Sequence, residues 1–461
     1  MTLISSISGI RGTIGGTIGN NLTPIDIINY TSAYSTILKE TVSRPVVVVG
    51  RDGRVTGAMV QSLIINTLMA MGVDVIDCGL TTTPSIEMGI IRAKADGGVM
   101  ISASHNPMQW NALKLFNANG EFIDAETGNR IKGIINDSCF QYSDYQFIGS
   151  CETVDDLLCY HIDKILSLPY IDCEKIKNAD FKVAVDGINS TGGIAVPLLL
   201  KKLGVKEENI YRENCDINGE FAHDPEPLAK NLTQLSKIVT DNGCNLGIAV
   251  DPDVDRLAFM SENGEYFGEE YTLVACADFV LQQKSGNTVS NLSSSRALND
   301  LTEQYACSYY SAAVGEVNVV DKMKAVGAVI GGEGNGGVIL PELHYGRDAL
   351  LGIALILSYL AKTEKKMTQL RASYPNYFMA KDKIVLKSKV DFNIIKNIVK
   401  NAVTNGKFNE SDGLKIDFSD SWVHLRTSNT EPVIRVYAEA KSMEEADFIA
   451  KTVMQLIINN I

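Results

Sequence analysis

The stretch Leu246-Gly247-Ile248-Ala249-Val250-Asp251-Pro252-Asp253-Val254-Asp255-Arg256 joins a run of apolar residues to three alternating carboxylates. The apolar half predicts a buried strand, and alternate side chains of an extended chain leave on one face. Asp251, Asp253 and Asp255 can therefore converge on one cation, and a hard, oxygen-seeking ion such as Mg²⁺ suits carboxylate ligands best. Pro252 argues against a long helix here and stiffens the loop. The stretch predicts a strand that ends in a metal-binding loop.

Two other motifs share part of this pattern. An EF-hand loop also begins with alternating acids and ends on Glu, and Glu262 falls at the twelfth position counted from Asp251. Arg256 stands where the sharp turn of an EF-hand needs glycine, which argues against that motif. Phosphatases with an aspartyl nucleophile also carry Asp-x-Asp after a buried strand, and the stretch alone leaves this alternative open.

Length and composition indicate a globular protein of several domains. With 461 residues, three or four domains of ~100–200 residues each are expected. Apolar content of 45% with 21% charged residues predicts sizeable cores rather than disorder. The formal net charge of −13 argues against nonspecific nucleic-acid binding, which needs a basic face. A small anionic ligand would have to be bound by local Arg, Lys, backbone amides or a metal.

Cysteine usage and hydropathy predict the compartment. The nine cysteines form no Cys-x-x-Cys pair, so free thiols in a reducing compartment are expected. The chain starts without a basic segment followed by an apolar one, and no run approaches the ~18 apolar residues of a membrane span. The sequence therefore predicts a cytoplasmic protein without a membrane segment.

A strand–helix pattern occurs three times. Each copy opens with an apolar strand, continues through helical segments and closes with a second buried strand that delivers an unusual polar loop. These loops are Ser102-Ala103-Ser104-His105-Asn106-Pro107, the acidic stretch above, and Gly331-Gly332-Glu333-Gly334-Asn335-Gly336-Gly337. Such alternation predicts α/β units with a largely parallel sheet, in which ligands bind beyond the carboxyl ends of the strands. The three loops are therefore predicted to line a shared cleft.

The first of these loops offers a candidate phosphoryl carrier. A serine can carry a phosphoryl group when a divalent cation and positive side chains neutralise the charge in transit. Ser104 fits this role, but a turn or helix-cap role fits these residues equally well. The hydrolase pattern Gly-x-Ser-x-Gly is absent around it, and its neighbour His105 is poorly placed to act as its base. Lys114 is close enough in sequence to return to the site, although a solvated strand lysine explains it as well.

The glycine-rich loop formally matches the Gly-x-Gly-x-x-Gly dinucleotide fingerprint. Val338-Ile339-Leu340-Pro341 follows it where that motif needs a helix, so the match is interpreted as spurious. Glu333 and Asn335 on a flexible backbone are better suited to sugar hydroxyls. The sequence also lacks Gly-x-x-x-x-Gly-Lys-Ser/Thr, the main support for a nucleotide-triphosphate site.

From about Tyr374 the pattern changes to that of a small α+β domain. Ser442-Met443-Glu444-Glu445 has the form of a capping box that opens a final helix. Arg426-Thr427-Ser428-Asn429-Thr430-Glu431-Pro432, followed by Arg435, combines hydroxyls, an amide and two guanidinium groups. These groups suit a phosphate dianion, which accepts many hydrogen bonds and pairs bidentately with Arg.

Taken in order, the serine, acidic, glycine-rich and Arg-Thr-Ser-Asn-Thr-Glu-Pro loops resemble the four signature loops of the α-D-phosphohexomutase superfamily. The resemblance covers essentially the whole chain. It implies an α/β protein with three related α/β/α domains of mixed, largely parallel sheets and a smaller C-terminal α+β domain, around a central cleft. The expected domains are residues 1–147 with the phosphoserine loop, 148–256 with the metal loop, 257–372 with the sugar loop and 373–461 with the phosphate loop.

The resemblance also implies a mechanism. Ser104 would be a phosphoserine whose phosphate shares Mg²⁺ with Asp251, Asp253 and Asp255. The phosphoryl group would pass to a sugar monophosphate, the resulting sugar 1,6-bisphosphate would turn over in the cleft, and its other phosphate would return to Ser104. A catalytic amount of that bisphosphate would act as the activator. Lys114 is the candidate general acid/base.

Further site residues are implied by the same resemblance. Arg11 and His105 are expected beside Ser104 in the catalytic group. The expected substrate contacts are Arg256, Glu333, Asn335, Arg426, Ser428, Asn429, Thr430 and Arg435. Many relatives end the sugar loop with His, whereas Gly337 stands there in this chain. Proton transfer must then depend on Lys114, Arg11 or another group.

The choice of sugar and the assembly are less constrained. Glu-x-Asn in the sugar loop resembles members that act on amino or N-acetylated hexose phosphates, so glucosamine phosphate is expected, with glucose and mannose phosphates as alternatives. Two rival functions remain: a Mg²⁺-dependent sugar-phosphate phosphatase with Asp251 as nucleophile, and a noncatalytic sugar-phosphate sensor. The sequence leaves open whether the chain forms a homodimer.

Overall fold

The structure is a computed structural model that describes residues 2–6, 9–386, 391–403, 405–427 and 433–460. Three predicted phosphate ligands, Ser428, Asn429 and Thr430, lie outside these ranges. The chain forms two compact units: Met1–Gln283 with Asn335–Arg371, and Lys284–Gly334 with Ala372–Ile461. Helices and strands are numbered below in chain order.

The first unit opens with a seven-stranded mixed sheet in the order β1-β2-β6-β5-β3-β4-β7. Strands β3, β4, β5 and β7 are parallel, while β6 runs antiparallel to both β5 and β2. The serine loop therefore joins two adjacent antiparallel strands. The elements are β1 Ile4–Ser6, β2 Gly9–Thr13, α1 Pro24–Leu38, β3 Val46–Arg51, α2 Gly57–Ala70, β4 Asp74–Leu80, α3 Thr83–Ala93, β5 Gly97–Ile101, β6 Trp110–Phe116, α4 Ala125–Asp137 and β7 Cys151–Thr153.

A second, four-stranded sheet of the same unit has the order β11-β10-β8-β9. Strands β8, β9 and β10 are parallel and β11 is antiparallel to β10, so the acidic loop also joins two antiparallel strands. Flanking strands, rather than helices, rule out the EF-hand alternative. The elements are α5 Leu157–Leu166, α6 Cys173–Ala179, β8 Val183–Asp186, α7 Gly192–Lys202, β9 Ile210–Glu213, α8 Thr233–Asp241, β10 Leu246–Val250, β11 Leu257–Ser261, α9 Glu269–Leu281, β15 Gly337–Ile339, α12 Ala349–Thr363 and α13 Met367–Ala372.

The second unit contains a third α/β segment and the C-terminal domain. In the α/β segment β12 is parallel to both β13 and β14. Its elements are β12 Asn287–Asn291, α10 Ala297–Gln304, β13 Tyr309–Ala312, α11 Glu316–Val326 and β14 Ala328–Glu333. The C-terminal sheet is antiparallel, in the order β16-β20-β19-β18-β17. Its elements are β16 Phe378–Val385, α14 Phe392–Ala402, β17 Lys407–Asn409, β18 Leu414–Asp417, β19 Trp422–Thr427, β20 Val433–Ala440 and α15 Met443–Ile458.

The helices and strands agree with the fold class predicted from the sequence. Mixed α/β sheets and a C-terminal α+β domain are confirmed, and the side chain of Ser442 caps the last helix by accepting a bond from the amide of Glu445. Gly337 begins strand β15 rather than a helix, which confirms that the dinucleotide match is spurious. All nine cysteines are free. Within the described ranges, every helix is too short or too polar to cross a membrane.

Candidate active site

The serine loop presents Ser104 to the acidic loop. Ser104 lies between β5 and β6, so it does not cap a helix, and it adopts a left-handed backbone with φ of 47°. Such a conformation is uncommon for a residue other than glycine and points to a loop held by its surroundings. The amide of Ser104 donates to Ser102 Oγ at 2.9 Å, and its own Oγ donates to Asp251 Oδ2 at 2.5 Å.

A buried arginine holds this loop from behind. The guanidinium of Arg54 donates to four backbone carbonyls, those of Ser104, Asn106, Pro107 and Trp110, at 2.6 to 2.9 Å. Its Nε lies 3.1 Å from the carboxylate of Asp52. Because Arg54 is only 1% exposed, these bonds are made away from competing water. Arg54 therefore fixes the backbone that carries Ser104.

The acidic loop is tightly folded around Asp251. Its Oδ1 accepts the amides of Asp255 and Arg256, each at 3.0 Å. Val254 has φ of 64°, which is a rare conformation for a β-branched residue. The carbonyl of Pro252 accepts the hydroxyls of two residues near the start of α7, Ser190 and Thr191, at 2.6 and 2.9 Å. These bonds hold the three carboxylates of the loop together in the interior.

The other two carboxylates each have one oxygen with hydrogen bonds and one without, and Arg256 Nε lies 4.0 Å from Asp255 Oδ1. Lys114 Nζ lies 2.5 Å from Asp253 Oδ2 and 2.8 Å from Asp255 Oδ2. Thr83 Oγ1 also donates to Asp253 Oδ2, and Arg347 Nη2 donates to Asp255 Oδ2 at 2.9 Å. Among the residues that the structure describes, none makes a hydrogen bond to Asp253 Oδ1 or Asp255 Oδ1.

This donor set fits a divalent cation. Each of Asp251, Asp253 and Asp255 can offer one carboxylate oxygen, and the three oxygens lie within 4.8 Å of one another. All three side chains are fully buried. Two buried oxygens without hydrogen bonds are costly unless a further group satisfies them. Oxygen-only ligands of this kind are typical of hard cations.

Burial and neighbouring charges together set the pKa of each group in the cluster. Burial raises the pKa of Asp251 well above its usual range, and the neighbouring Asp255 and Asp253 raise it further. Burial would also raise the pKa of Asp255, but Arg347 and Lys114 outweigh it and hold this pKa low. Burial would lower the pKa of Lys114, but Asp253 and Asp255 outweigh it and raise this pKa. Lys114 is therefore a protonated ammonium, not the solvated strand lysine that the sequence also allowed.

Two further predicted residues of the first unit, Arg11 and His105, lie at the serine loop. Arg11 on β2 donates to the side chain of Asn106 in the serine loop at 3.4 Å. His105 Nδ1 lies 3.5 Å from Ser104 Oγ. Burial lowers the pKa of His105 to about 2, with further lowering by Arg256 and Arg11, so its imidazole is neutral at pH 7.

Two predicted ligands have partners at the edges of their loops. Arg256 Nη1 lies 3.1 Å from Glu226 Oε1. Asn335, which belongs to the first unit, accepts the amide of Gly337 through Oδ1 at 3.2 Å. Both residues are partly exposed.

Glu333, in the second unit, is buried at the end of β14. Its Oε1 accepts from Asn291 Nδ2 at 2.9 Å and from the amide of Gly315 at 3.2 Å. The side chain of Ser294 accepts the amide of the next residue, Gly334, at 2.9 Å. These bonds orient the sugar loop predicted from the sequence.

The C-terminal sheet arranges three cations in a row. Arg426 on β19 is directly opposite Arg435 on β20, which is in turn opposite Lys383 on β16. Directly paired residues share a face of the sheet, and like charges there repel. Asp412 offsets part of this charge, since its carboxylate lies 2.8 Å from Arg426 Nε. The row suits an anion that binds where the two predicted arginines meet.

The sequence did not single out Arg54, Thr83, Arg347 or Lys383. Arg54 and Thr83 both follow the ends of parallel strands, so the rule that ligands bind at carboxyl ends of strands could have found them. Arg347 immediately precedes the N-cap of α12, and Lys383 is one of several strand lysines. For these two, spacing along the chain gives no signal.

Comparisons with known proteins agree with this arrangement. Four models of phosphoglucomutase/phosphomannomutase domains match the chain in order: α/β/α domain I at residues 4–141, domain II at 160–264, domain III at 268–377 and the C-terminal domain at 377–456. A phosphoglucomutase/phosphomannomutase of Thermococcus kodakarensis is 35% identical over 94% of this chain and 95% of its own. A phosphoglucosamine/phosphogalactosamine mutase of Sulfurisphaera tokodaii is 30% identical over 97% of this chain and 98% of its own.

The fold is also found among solved structures. A phosphoglucomutase/phosphomannomutase family protein from Burkholderia thailandensis superimposes with a TM-score of 0.84 at 24% identity, covering 98% of each chain. The four matched domains and the full-length relatives together identify the family of this chain. The chain belongs to the phosphoglucomutase/phosphomannomutase family, whose members are isomerases that act on sugar phosphates.

Proposed function

We propose that the chain is a phosphohexomutase that interconverts hexose 6-phosphate and hexose 1-phosphate through a phosphoserine at Ser104 and a sugar 1,6-bisphosphate. The observation that carries the proposal is the 2.5 Å hydrogen bond from Ser104 Oγ to Asp251 Oδ2, inside a fully buried acidic triad. A serine with this neighbour can share a cation with the carboxylates once it is phosphorylated.

The proposed transfer has two halves. In the first, the bond between Ser104 Oγ and phosphorus breaks as a sugar hydroxyl oxygen bonds to that phosphorus; Ser104 Oγ takes up a proton and the sugar hydroxyl gives one up. In the second, the bisphosphate has turned over, Ser104 Oγ attacks its other phosphoryl group and gives its proton up, and the sugar oxygen that is released takes one up. The Lys114 ammonium, held protonated by Asp253 and Asp255, gives the proton to the leaving oxygen in each half, and the proton released by the attacking hydroxyl restores it. His105 has a lowered pKa and is proposed to line the site in its neutral form.

The acidic loop would hold Mg²⁺ through Asp251, Asp253 and Asp255. Bound Mg²⁺ neutralises charge on a transferring phosphoryl group. The open oxygens Asp253 Oδ1 and Asp255 Oδ1 support this assignment, because the opposite oxygens are already engaged by Lys114 and its neighbours. Arg11 and Arg256 carry positive charge near Ser104 and would help to bind the phosphoryl group in transit.

Substrate contacts are assigned to the sugar and phosphate loops. We assign the sugar hydroxyls to Glu333 and Asn335. The phosphate that is not reacting is assigned to Arg426, Ser428, Asn429, Thr430 and Arg435, of which the middle three lie outside the described residues. The paired guanidinium groups of Arg426 and Arg435 support an anion site there.

Glucosamine phosphate is the proposed sugar. The Glu333-Gly334-Asn335 sequence supports it, as does the relative named a phosphoglucosamine/phosphogalactosamine mutase. The relative named a phosphoglucomutase/phosphomannomutase makes glucose and mannose phosphates the alternatives to be tested beside it. A trace of the matching sugar 1,6-bisphosphate is required in either case, because it returns the phosphoryl group to Ser104.

Phosphorus NMR tests the reaction directly. Purified protein is incubated with Mg²⁺, glucosamine 6-phosphate and a trace of the bisphosphate, and parallel samples contain glucose or mannose 6-phosphate. A growing 1-phosphate signal is expected, fastest with the glucosamine compound. A faster reaction with glucose or mannose phosphate would correct the substrate, whereas release of inorganic phosphate alone would indicate the phosphatase and contradict the proposal.

Two serine variants identify the carrier. Ser104→Ala is expected to reduce turnover by several orders of magnitude, because a covalent relay cannot bypass its carrier. Ser43→Ala, at an exposed serine of the same domain, should retain the activity of the unaltered protein. Near-normal turnover by Ser104→Ala would exclude the phosphoserine route and favour Asp251 as the nucleophile.

A further inference from the structure

Arg347 reaches the acidic loop from a segment that the proposed mechanism does not use. Its Nη2 lies 2.9 Å from Asp255 Oδ2, the same oxygen that Lys114 contacts at 2.8 Å. The side chain of Arg347 is only 9% exposed. Two buried cations thus share one carboxylate oxygen, while the opposite oxygen makes no hydrogen bond within the described part of the chain.

The backbone around Arg347 is fixed on both sides. The amide of Asp348 donates to the carbonyl of Val338 at 2.8 Å, and the amide of Ala349 donates to the carbonyl of Val254 in the acidic loop at 3.2 Å. The Asp348 side chain caps α12 and accepts a bond from the buried His161 at 2.9 Å. Arg347 is therefore held against the acidic loop by its own neighbours.

Space for Arg347 is created at Gly337. A Cβ atom placed on Gly337 would lie 2.3 Å from Cδ and 2.9 Å from Cγ of Arg347, distances that no real contact shows. The φ of Gly337 is not positive, so its backbone conformation does not itself require glycine. A side chain at position 337 would therefore displace the stem of Arg347.

The cations around the acidic loop offset its negative charge. Three buried carboxylates in one loop repel each other, and burying an uncompensated charge is costly. Lys114 and Arg347 compensate this charge in the absence of a metal, together with Arg256, whose Nε lies 4.0 Å from Asp255 Oδ1. The same positive charges repel an incoming divalent cation, and this repulsion is strong across a short distance of low dielectric.

We propose that Arg347 is the built-in counter-ion of the metal site. It shares the charge of Asp255 with Lys114, keeps the acidic loop folded when no divalent ion is bound, and lowers the affinity of the loop for such an ion. The inference rests on the proposed function insofar as that function assigns a metal to this loop. Arg347 is thus a positioning and charge-balancing residue, and Gly337 leaves the space that its stem occupies.

Manganese binding to the dephosphorylated protein tests the proposal without any use of activity. The signal of free Mn²⁺ in electron paramagnetic resonance gives Kd, and thermal unfolding with and without Mn²⁺ gives a second readout. Arg347→Ala is expected to bind Mn²⁺ roughly 10-fold more tightly, because a repelling charge is gone. Its Tm without metal should fall, and its Tm should rise more on adding Mn²⁺ than that of the unaltered protein.

Further variants separate charge from packing. Arg347→Lys retains the charge and should bind Mn²⁺ nearly as the unaltered protein does. Gly337→Ala displaces the stem of Arg347 and should also tighten binding, but it should add nothing in an Arg347→Ala background, since the two act through one contact. Arg92→Ala removes an arginine of the surface pair with Asp156 and is the matched control, with no expected change in Kd.

The Mn²⁺ measurement distinguishes the role of Arg347 from the proposed function. Equal or weaker Mn²⁺ binding by Arg347→Ala, with normal binding by the unaltered protein, overturns the role of Arg347 and leaves the proposed function intact. Failure of the unaltered protein to bind Mn²⁺ overturns both. If Arg347→Ala folds only with Mn²⁺, the proposal is supported, and if it does not fold at all, Gly337→Ala decides by the same measurement.

Discussion

At the scale of single residues, buried polar side chains determine the geometry of the site. Arg54 binds four carbonyls of the serine loop and pairs with Asp52, and neither side chain is accessible to water. The loop's own hydrogen bonds are short-range, from the amide of Asn106 to the carbonyl of Ala103 and from the amide of Trp110 to the carbonyl of Pro107, each at 3.0 Å. The Arg54 guanidinium adds the contacts that anchor the loop to the rest of the domain.

Replacing Arg54 should be costly. Arg54→Met is expected to lower the free energy of unfolding by about 3–5 kcal/mol, because Asp52 and the carbonyls lose their buried partner. Urea denaturation gives this value, and turnover should fall at least about 10-fold as the Ser104 loop loosens. Arg44→Met, which breaks a surface pair with Asp74, should cost less than about 1 kcal/mol. Similar losses for both variants would refute the assigned role.

A buried histidine predicts a dependence of stability on pH. Burial would lower the pKa of His344, but its hydrogen bonds to Asp348 and Glu87 outweigh burial and raise it from 6.5 to about 10. A pKa that is higher in the folded state contributes stability below the unfolded value, and this contribution is lost as pH rises through the folded value. It should therefore be present at pH 6 and decline from about pH 7 to pH 10.

The measurement compares His344→Gln with the unaltered protein. Urea denaturation at pH 6 and at pH 10 gives the stability difference between them, and this difference should shrink at the higher pH. Asp348 has a pKa held low against burial by its two histidine partners, so it stays charged throughout this range. A difference that stays constant or grows with pH would show that His344 is not protonated in the folded state.

At the scale of secondary structure, two loops between antiparallel strands hold the residues to which we assign the chemistry. The β5–β6 connection holds Ser104 and the β10–β11 connection holds the three aspartates. Since β6 turns back beside β5, Lys114 on β6 returns to the end of the sheet where the aspartates lie. A residue ten positions after Ser104 thus reaches the same site because of strand pairing.

The row of cations on the C-terminal sheet predicts a role for Lys383. Lys383→Met should raise KM for the sugar phosphate roughly 3- to 10-fold and change kcat less, because it weakens a field that attracts the phosphate. The effect should diminish at high salt, which screens an exposed charge. Lys407→Met, on the far edge strand of the same sheet, is the matched control. An unchanged KM, or an equal change in the control, would contradict this role.

At the scale of the whole molecule, the sequence predicted more of the framework than of its fine contacts. Continuous apolar runs such as Leu246–Val250 were predicted as buried strands and were confirmed as strands. The order of the motifs along the chain indicated the family. The contacts of Arg54 and Arg347 join residues about 50 to 90 positions apart, so local spacing could not reveal them. From the sequence, a turn residue and a phosphoryl carrier fitted Ser104 equally well. Only the position of Asp251 beside Ser104 Oγ favours the carrier.

A preformed acidic loop predicts how the whole protein responds to metal removal. A chelator should abolish turnover but lower the free energy of unfolding by only about 1 kcal/mol, because Lys114 and Arg347 already compensate the carboxylates. Turnover and urea denaturation with and without the chelator check this. Global unfolding on chelation would mean that the loop needs the ion to fold.

The central claim is that Ser104 carries the phosphoryl group between two positions of a sugar. The most direct measurement phosphorylates the protein with radiolabelled sugar 1,6-bisphosphate, removes the excess bisphosphate, locates the label by peptide mapping and then adds hexose 6-phosphate for a single turnover. Label is expected on the peptide containing Ser104, followed by its rapid transfer to the sugar as bisphosphate and 1-phosphate. Label on Asp251, or its release as inorganic phosphate without transfer to the sugar, would contradict the phosphoserine route.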